Sequence, residues 1–296
     1  MDDLTMINWR HELDTLIGEK KYTLLNRTGF VENAFDPASG NRKSVSPSFI
    51  FDMLMGDAAK TLQMMAPFLR TGIRMLEIGG GVGLSYSLLR SKGFDIVSLE
   101  PGAIGYGDRH GAGLDMMELL GIDSRGWIKS GIENFSTDSP FDLIFSYFVL
   151  EHVSDLERAF LAMHNLLGPN GIMIHRCPNY AVPYETHFNI PLVPFFPKST
   201  VLLFPKLGNS DLWKGLQFTT VRNIGSLCKR YGFKPTFQRG MTAWAFEQVL
   251  TDPLFAARKQ RFLPIARVLR ATGLLNAIKH LPATLDVAME FTAEKL

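Results

Sequence analysis

The residues best suited to chemistry stand in one short segment, 77–83, which reads Glu-Ile-Gly-Gly-Gly-Val-Gly. The apolar run 73–78 leads into the glycines and predicts a buried strand, and the stretch 84–90 after them predicts a helix. Glycines allow the backbone to turn tightly and to approach a ligand closely. The N-terminus of the following helix presents unpaired N–H groups. Together these elements predict a nucleotide-binding turn.

Two classes of nucleotide ligand are distinguished by the glycine spacing and by Glu77. Dinucleotide sites use the pattern G-x-G-x-x-G, which places a pyrophosphate on the helix end. Here the glycines stand at 79, 81 and 83, and Leu84 occupies the place of the third glycine of that pattern. The carboxylate of Glu77 would repel a pyrophosphate but attract the ammonium and sulfonium groups of S-adenosylmethionine (SAM). SAM is therefore the predicted cofactor, and a nicotinamide-dependent oxidoreductase is an alternative function.

A second acidic residue supports the same cofactor. Glu100 closes the second predicted strand, 94–99, and Pro101 follows it. Glu100 stands about 20 residues beyond the first glycine, the usual separation for a carboxylate that binds a ribose. Because the 2′ and 3′ hydroxyls are both donors, one carboxylate can accept hydrogen bonds from the pair.

Strands alternate with helices through most of the chain. This alternation predicts an α/β fold with a doubly wound, mostly parallel, seven-stranded sheet of the Rossmann-like kind. The predicted strands are 73–78, 94–99, 127–129, 141–145, 171–175, 234–238 and 285–294, and the main helices are 84–90, 114–120, 156–167 and 220–231.

Three segments stand outside this alternation and complete the predicted domain organisation. Residues 1–70 form an N-terminal helical extension, with loop chemistry at 36–41 and a helix capped by Ser46 or Ser48. Residues 71–296 form the cofactor-binding domain. Within it, 177–217 mixes prolines and aromatics at irregular spacing and predicts a lid insertion. A helical insert at 244–280 separates the last strand from its neighbour.

Several motifs in order resemble class I SAM-dependent methyltransferases. The glycine segment followed by Glu100 is similar to the first two motifs of that family. The stretch FDLIFS at 141–146 resembles its fourth strand, and LEHVSD at 150–155 resembles the L-E-H-V-x-D segment of its small-molecule members. LLGPNG at 166–171 resembles the turn before its fifth strand. The resemblance covers about residues 70–180 and implies the fold and the cofactor named above.

The resemblance also implies where the cofactor is held. One position departs from the family, whose members often carry an acidic residue near the end of the third strand for the adenine amino group. Here 128–133 reads IKSGIE, and Ser130 stands after the strand instead. Ser130 or backbone groups would take that role, and Ile132 would pack on the ring. The expected cofactor-binding residues are Glu77, Gly79, Gly80, Gly81, Gly83, Glu100, Pro101, Ile132, Ser146 and Glu151.

Methyl transfer from a sulfonium is a direct displacement, so the protein mainly supplies proximity and alignment. An oxygen or nitrogen acceptor can also need a base, for which His152 and His187 are the candidates, with Glu185 able to orient His187. Each histidine could equally be structural. The expected acceptor is a small or lipid-linked molecule, such as a sugar intermediate or a quinone precursor. A non-catalytic SAM-binding protein is the alternative, and no metal is expected because no H-x-x-H spacing occurs.

The amino-acid composition limits which partners and which cellular location are expected for the protein. The chain has 46% hydrophobic and 20% charged residues and a net charge of +2, which argues against a nucleic-acid partner. The absence of a signal-peptide pattern and the presence of only two cysteines predict a cytoplasmic protein. The basic region 257–280 lies in a stretch, 253–285, without Asp or Glu. It could lie on an anionic membrane or pack on the domain with its charges in water. The sequence does not define an oligomeric state.

Overall fold

The computed structural model describes residues 4–27, 30–31, 46–102 and 107–296. The loop predicted at 36–41 lies outside these residues. The chain divides into two compact units. The first contains 1–147, 155–174 and Lys295, and the second contains 148–154, 175–294 and Leu296.

The first unit begins with helices and continues with alternating strands and helices. Its helices are α1 (Trp9–Ile17), α2 (Lys20–Leu25), α3 (Pro47–Met65), α4 (Leu84–Ser91), α5 (Arg109–Leu120) and α6 (Leu156–Leu166). Its strands are β1 (Arg74–Ile78), β2 (Asp95–Leu99), β3 (Trp127–Ile128), β4 (Phe141–Tyr147) and the beginning of β5 (Leu167–Pro178).

The second unit holds the end of β5 and the rest of the chain. Its strands are β6 (Tyr184–Glu185), β7 (Ile190–Pro191), β8 (Phe233–Phe237) and most of β9 (Ala288–Lys295). Its helices are α7 (Asp211–Gly215), α8 (Val221–Arg230), α9 (Met241–Thr251), α10 (Pro253–Arg258), α11 (Leu263–Ala271) and α12 (Leu274–Ile278).

The strands form a seven-stranded, mostly parallel sheet in the order β3-β2-β1-β4-β5-β9-β8, which confirms the predicted α/β class. β1 pairs in parallel with both β2 and β4. The chain therefore winds outward from β1 in one direction through β2 and β3 and in the other through β4. Ligands of such sheets bind beyond the carboxyl ends of the strands where the winding direction reverses, which here is between β1 and β4.

The start and the end of helix α3 can be explained by its sequence. Ser46 caps it, because the side-chain oxygen accepts from the backbone N–H of Phe49 at 3.3 Å, and Pro47 occupies the first helical position. The helix ends at Met65, and a 3-10 turn containing Pro67 follows. Its inward side chains join the core of the first unit with Trp9, Leu13 and Ile17 of α1; they are Ile50, Phe51, Met55, Leu62, Met64 and Met65.

Two strands begin three or more residues away from their predicted starts, and the other predicted strands begin within one residue of theirs. β5 begins at Leu167, four positions before the predicted start, so most of the segment 166–171 lies in the strand. β9 begins at Ala288, because a 3-10 turn occupies Ala283–Leu285. The helices α9–α12 stand between β8 and β9, as the predicted helical insert requires.

The segment predicted as a lid is folded on its own small core. β6 and β7 pair as an antiparallel ribbon, and two 3-10 turns and α7 follow. Its aromatic and leucine side chains pack at spacings that match neither the strand nor the helix period, which is why the sequence pattern did not reveal these elements. The buried members of this cluster are Tyr180, Leu192, Leu207, Trp213, Leu216 and Phe218. Among the helices that the structure describes, none has the length and apolarity to cross a bilayer.

Candidate functional site

The glycine turn follows β1 and is held against the end of β2. In the parallel register Ile78 lies opposite Leu99, and the N–H groups of Gly79 and Gly80 donate to the carbonyl of Leu99 at 2.8 and 3.1 Å. Gly79, Gly81 and Gly83 have φ values of 74°, 62° and 79°. A side chain is strained in this left-handed region, so the backbone geometry itself requires glycine at these three positions.

Gly80 is required for a different reason, the closeness of its neighbours. A Cβ atom at this position would lie 2.2 Å from Ser98 Oγ and 2.5 Å from Trp127 Cζ3. Both distances are below van der Waals contact, and both neighbours are buried. The turn therefore packs directly on β2 and β3 with no room for a methyl group.

Glu77 is buried at the end of β1 and is tied to two serines. The hydroxyl of Ser98 donates to Oε2 at 2.7 Å, and the hydroxyl of Ser85 in α4 donates to Oε1. Burial raises the pKa of Glu77, and the two serine hydrogen bonds oppose that shift. This carboxylate therefore fastens β1, β2 and α4 together, a structural role that its position in the sequence did not indicate. Each oxygen keeps a further lone pair for a ligand.

Glu100 closes the turn from the side of β2. Its Oε2 accepts from the backbone N–H of Gly81 at 2.7 Å, and its Oε1 accepts from the N–H of Gly102 at 3.0 Å. Burial raises the pKa of this carboxyl, while the charge of Arg109 and the two N–H donors lower it. Sequence separation alone linked Glu100 to the glycines, and the structure provides the direct contact.

Other predicted cofactor residues of the first unit lie along the same strand ends. Glu77 pairs with Phe145 in the register of β1 and β4, so Ser146 continues β4 beside the end of β1, where it is buried. Ile132 is buried in a 3-10 turn that follows β3. Pro101 is exposed after β2. The carboxyl ends of β1, β2 and β4 thus carry most of the residues that the sequence singled out, and Ile132 follows β3.

A second polar cluster lies within the second unit and joins both candidate histidines. The rings of His152 and His187 meet edge to face with centroids 5.0 Å apart. His187 Nδ1 lies 2.6 Å from Glu185 Oε1, and Glu185 Oε2 accepts from the N–H of Phe188 at 2.7 Å. The hydroxyl of Tyr180 also donates to Glu185 at 3.2 Å. The predicted Glu185–His187 pair is present, and Tyr180 is a further member that sequence reasoning missed.

The charge state of Glu185 is set by these donors. Burial alone would raise the pKa of this carboxyl, but the hydrogen bond and charge of His187 and the donors Phe188 and Tyr180 bring it below the usual value. Glu185 is therefore ionised at neutral pH and can stabilise a protonated His187. The same carboxylate raises the pKa of the Tyr180 hydroxyl, to which burial contributes most.

Glu151, the predicted cofactor contact of the second unit, is fully buried with an exposure of 0%. Neither carboxyl oxygen has a hydrogen-bond partner among the described residues, and His152 Nε2 lies 3.8 Å from Oε1. Burial, together with the negative charge of Glu185, raises the pKa of Glu151 to about 8. At neutral pH this carboxyl is mainly protonated, so it can donate as well as accept.

The raised pKa of Glu151 makes the stability of the protein depend on pH. Between the ordinary pKa of 4.5 and about 8, the folded state keeps a proton that the unfolded chain has lost. Stability should therefore fall as pH rises through this window and then level off. Replacing Glu151 with Gln should remove the part of that fall that Glu151 contributes, while the raised pKa values of Glu77 and Glu100 still act in both proteins. The Tm of the variant should therefore gain on that of the wild type as pH rises from about 5 to about 8, by about 2–4 °C for each kcal/mol.

Thermal unfolding at a series of pH values checks this prediction. Glu157→Gln serves as the matched control, since Glu157 is exposed on α6. It should leave the pH dependence of Tm unchanged. A wild-type Tm that is level or rises over the window, with no gap opening to Glu151→Gln, would contradict the assignment of a neutral buried carboxyl.

Glu151, His152 and His187 also bring three metal-ligand atoms within 4.8 Å of one another. A search for H-x-x-H spacing could not find such a set, because its members come from segments far apart in the sequence. Two imidazoles and a carboxylate can hold a divalent cation. The expectation of no metal stays a prediction.

Two basic residues of the 257–280 region hold the turn that carries His187. Lys259 Nζ donates to the carbonyl of Thr186 at 3.2 Å and to Asn189 Oδ1 at 3.0 Å, and Arg261 donates to the carbonyl of Asn189 at 2.8 Å. Burial and the charge of Arg258 lower the pKa of Lys259 to about 8. Part of the basic region therefore has a structural role in positioning the second cluster.

Residues 53–236 match the family described as "Methyltransferase domain". Two proteins of Mycobacterium tuberculosis, from strains H37Rv and CDC 1551 and both described as uncharacterized, are 33% identical to the chain over 244 residues, which cover 77% of this chain and 80% of each relative.

Solved structures share the fold. Phosphoethanolamine N-methyltransferase 2 of Haemonchus contortus, in complex with SAM, matches with a TM-score of 0.53 and 16% identity over 88% of this chain, which spans 59% of that enzyme's length. The cyclopropane synthase MmaA2 of Mycobacterium tuberculosis matches with a TM-score of 0.50 and 17% identity over 90% of this chain and 94% of that one.

Proposed function

Because the chain belongs to the methyltransferase-domain family and is a SAM-dependent methyltransferase, we propose that it methylates a small-molecule or lipid-linked acceptor. Sugar intermediates and quinone precursors are the acceptor types we favour. The observation that carries the proposal is the Glu185–His187–His152 cluster, which places a carboxylate-oriented imidazole among buried aromatic side chains. Such a mixture of apolar walls and few polar groups suits a small ligand.

We further propose that the carboxyl ends of β1, β2 and β4 hold the cofactor. Glu100 would accept from the ribose hydroxyls with the lone pairs that Gly81 and Gly102 leave unused. Glu77 would face the positive end of the cofactor through its remaining lone pairs. The full set proposed to contact SAM is Glu77, Gly79, Gly80, Gly81, Gly83, Glu100, Pro101, Ile132, Ser146 and Glu151.

The proposed reaction is a displacement at the methyl carbon of SAM. Bound SAM would supply an activated methyl group. A lone pair of the acceptor oxygen or nitrogen would form the new bond to its carbon, and S-adenosylhomocysteine would leave with the electron pair of the carbon–sulfur bond. The acceptor proton passes to Nε2 of His187. Nδ1 of that ring faces the Glu185 carboxylate at 2.6 Å, so it carries the hydrogen and leaves Nε2 as the acceptor. Glu185 then stabilises the resulting imidazolium. His152 is the second candidate for this role.

Two assays test the function. Calorimetry with S-adenosylhomocysteine measures cofactor binding, and transfer of a labelled methyl group from SAM to fractionated small molecules and lipids measures activity. We expect binding of S-adenosylhomocysteine and label in a small-molecule or lipid fraction. Binding without transfer to any fraction would favour the alternative of a non-catalytic SAM-binding protein. Label found only on protein or nucleic acid would overturn the proposed acceptor class.

The effect of metal ions on the rate of methyl transfer distinguishes proton removal by an imidazole base from a metal-assisted reaction at the same cluster. We expect methyl transfer to be unchanged, within about twofold, after treatment with a chelator, since His187 takes the proton without a metal. The measurement is the initial rate of the chelated enzyme with and without added Mn²⁺ or Zn²⁺. If the rate collapsed on chelation and returned with one of these ions, Glu151, His152 and His187 would be metal ligands.

A further inference from the structure

The most apolar exposed surface of the second unit is the lid tip, residues 193–206. Phe195 is 95% exposed and Leu202 is 80% exposed, far above the exposure of a typical large apolar residue. Phe196, Leu203 and Phe204 are exposed beside them. Clustered apolar exposure of this kind marks an interaction surface.

The backbone of the lid tip holds these side chains outward. Two 3-10 turns begin at Pro197 and Pro205. Thr200, which is buried, accepts through Oγ1 from the N–H of Val193 at 2.9 Å, and its carbonyl accepts from Leu203 and Phe204 at 3.0 Å. Hydrogen bonds within the lid tip thus fix the conformation of its backbone.

The backbone conformation of Phe195 is a second indication that the exposed apolar surface is functional. Its φ of 64° lies in the left-handed region, which is strained for a bulky aromatic residue. A strained conformation persists where the surrounding structure imposes it, often at a functional position. Here it accompanies the most exposed aromatic side chain described in the chain.

The charges around the lid tip identify the partner. Lys198 and Lys206 are exposed within it, and the whole stretch 186–210 contains no Asp or Glu. A second copy of the chain meeting the same surface would place these lysines opposite one another, which is repulsive. An anionic lipid surface offers opposite charge to the lysines and an apolar layer to the phenylalanines and leucines.

Helix α11 of the same unit is also basic and apolar on its exposed surface. Ile265 and Val268 are exposed one turn apart, and Arg267 and Arg270 are exposed with them. No acidic residue occurs in 253–285. Arg261, just before this helix, donates to the carbonyl of Asn189, which lies a few residues before the lid tip.

We propose that the lid tip is a membrane-insertion loop for an anionic bilayer. Phe195, Phe196 and Leu202 enter the interfacial layer, and Lys198 and Lys206 lie at the head groups. This activity is separate from methyl transfer. It would bring the enzyme to a surface where lipid-linked molecules reside.

Vesicle flotation tests the proposal with vesicles of phosphatidylcholine alone and of phosphatidylcholine mixed equally with phosphatidylglycerol. The full chain should float with the anionic vesicles and stay unbound with the neutral ones. Phe195→Ser combined with Phe196→Ser should weaken binding to anionic vesicles at least about tenfold, because the inserted apolar area is lost. Lys198→Glu combined with Lys206→Glu should weaken it comparably and reduce its salt dependence.

Two controls keep the outcome interpretable. Leu161→Ser removes an exposed apolar side chain from α6 of the first unit and should bind vesicles like the wild type. Calorimetric binding of S-adenosylhomocysteine should be unchanged in every variant, which shows that each one is folded. If the wild type does not bind S-adenosylhomocysteine, the proposed function is contradicted. The vesicle result then still tests the membrane proposal independently.

Three results would overturn the proposal. They are equal binding to neutral and anionic vesicles, no binding to either, and unchanged binding when Phe195 and Phe196 are serine. A wild-type dimer in solution that becomes monomeric in the Phe195→Ser/Phe196→Ser variant would assign the lid tip to a second copy of the chain.

Discussion

Replacement of Gly80 with alanine is expected to lower the affinity for SAM by at least about a hundredfold. The added Cβ would lie 2.2 Å from Ser98 Oγ and 2.5 Å from Trp127 Cζ3. Ser98 donates to Glu77, so the clash also disturbs the carboxylate at the end of β1. Overpacking of a tight site costs about 1–3 kcal/mol of stability, and the turn must shift from its ligand-binding position. Titration calorimetry with S-adenosylhomocysteine measures the affinity.

Gly93→Ala is the matched control, at a glycine between α4 and β2 that lies outside the turn. Its Cβ would meet no atom within 4 Å, so only the strain of a φ of 82° is introduced. That strain costs on the order of 1 kcal/mol, and we expect a loss of affinity smaller by about tenfold than for Gly80→Ala. Thermal unfolding distinguishes a folded variant with a damaged turn from an unfolded one. Affinities of the two variants within twofold of each other would show that packing on Ser98 and Trp127 is unimportant for the cofactor.

Replacement of His187 with alanine is expected to lower kcat by about 10²–10⁴-fold, the usual contribution of a general base. KM for SAM should stay within about threefold, since His187 acts on the acceptor. Glu185→Gln should give a smaller loss, because the imidazole remains but its orienting carboxylate is gone. Steady-state kinetics with the acceptor found by labelling measures both constants.

Chemical rescue separates a base from a structural histidine. Free imidazole should restore part of the activity of His187→Ala. His280→Gln is the control, because His280 is exposed in the same unit. It should retain wild-type kinetics. Equal loss in the two histidine variants, or a large change in KM for SAM with kcat preserved, would refute the base assignment.

Most of the proposed cofactor site could be predicted from the sequence, because the elements that form it are close together along the chain. The strand, the turn and the helix are contiguous along 73–91, and glycine at 79, 81 and 83 is demanded by positive φ values that few other residues tolerate. The ends of two adjacent parallel strands must meet at one edge of the sheet, which is why Glu100 could be linked to the turn. The α/β class followed from the same short-range alternation.

The tertiary structure decided the environment of these residues. Glu77 proves to be bonded to Ser85 and Ser98, and Gly80 is confined by Trp127. The sequence could not reveal either contact, since they depend on how β1, β2, β3 and α4 pack in three dimensions. The same holds for Glu151, whose shifted pKa arises from complete burial rather than from its neighbours in the chain.

What the sequence determined by itself is therefore the fold class, the cofactor and the glycine turn, each of which depends on local pattern and on glycine stereochemistry. The cluster that we propose for the acceptor was decided by the tertiary structure alone. His152 and His187 come together only because the irregular segment after β5 folds on its own aromatic core, and Lys259 and Arg261 hold its turn from far along the chain. Contacts between residues that are far apart in the sequence produce no periodic pattern, so this cluster could be identified only from the tertiary structure.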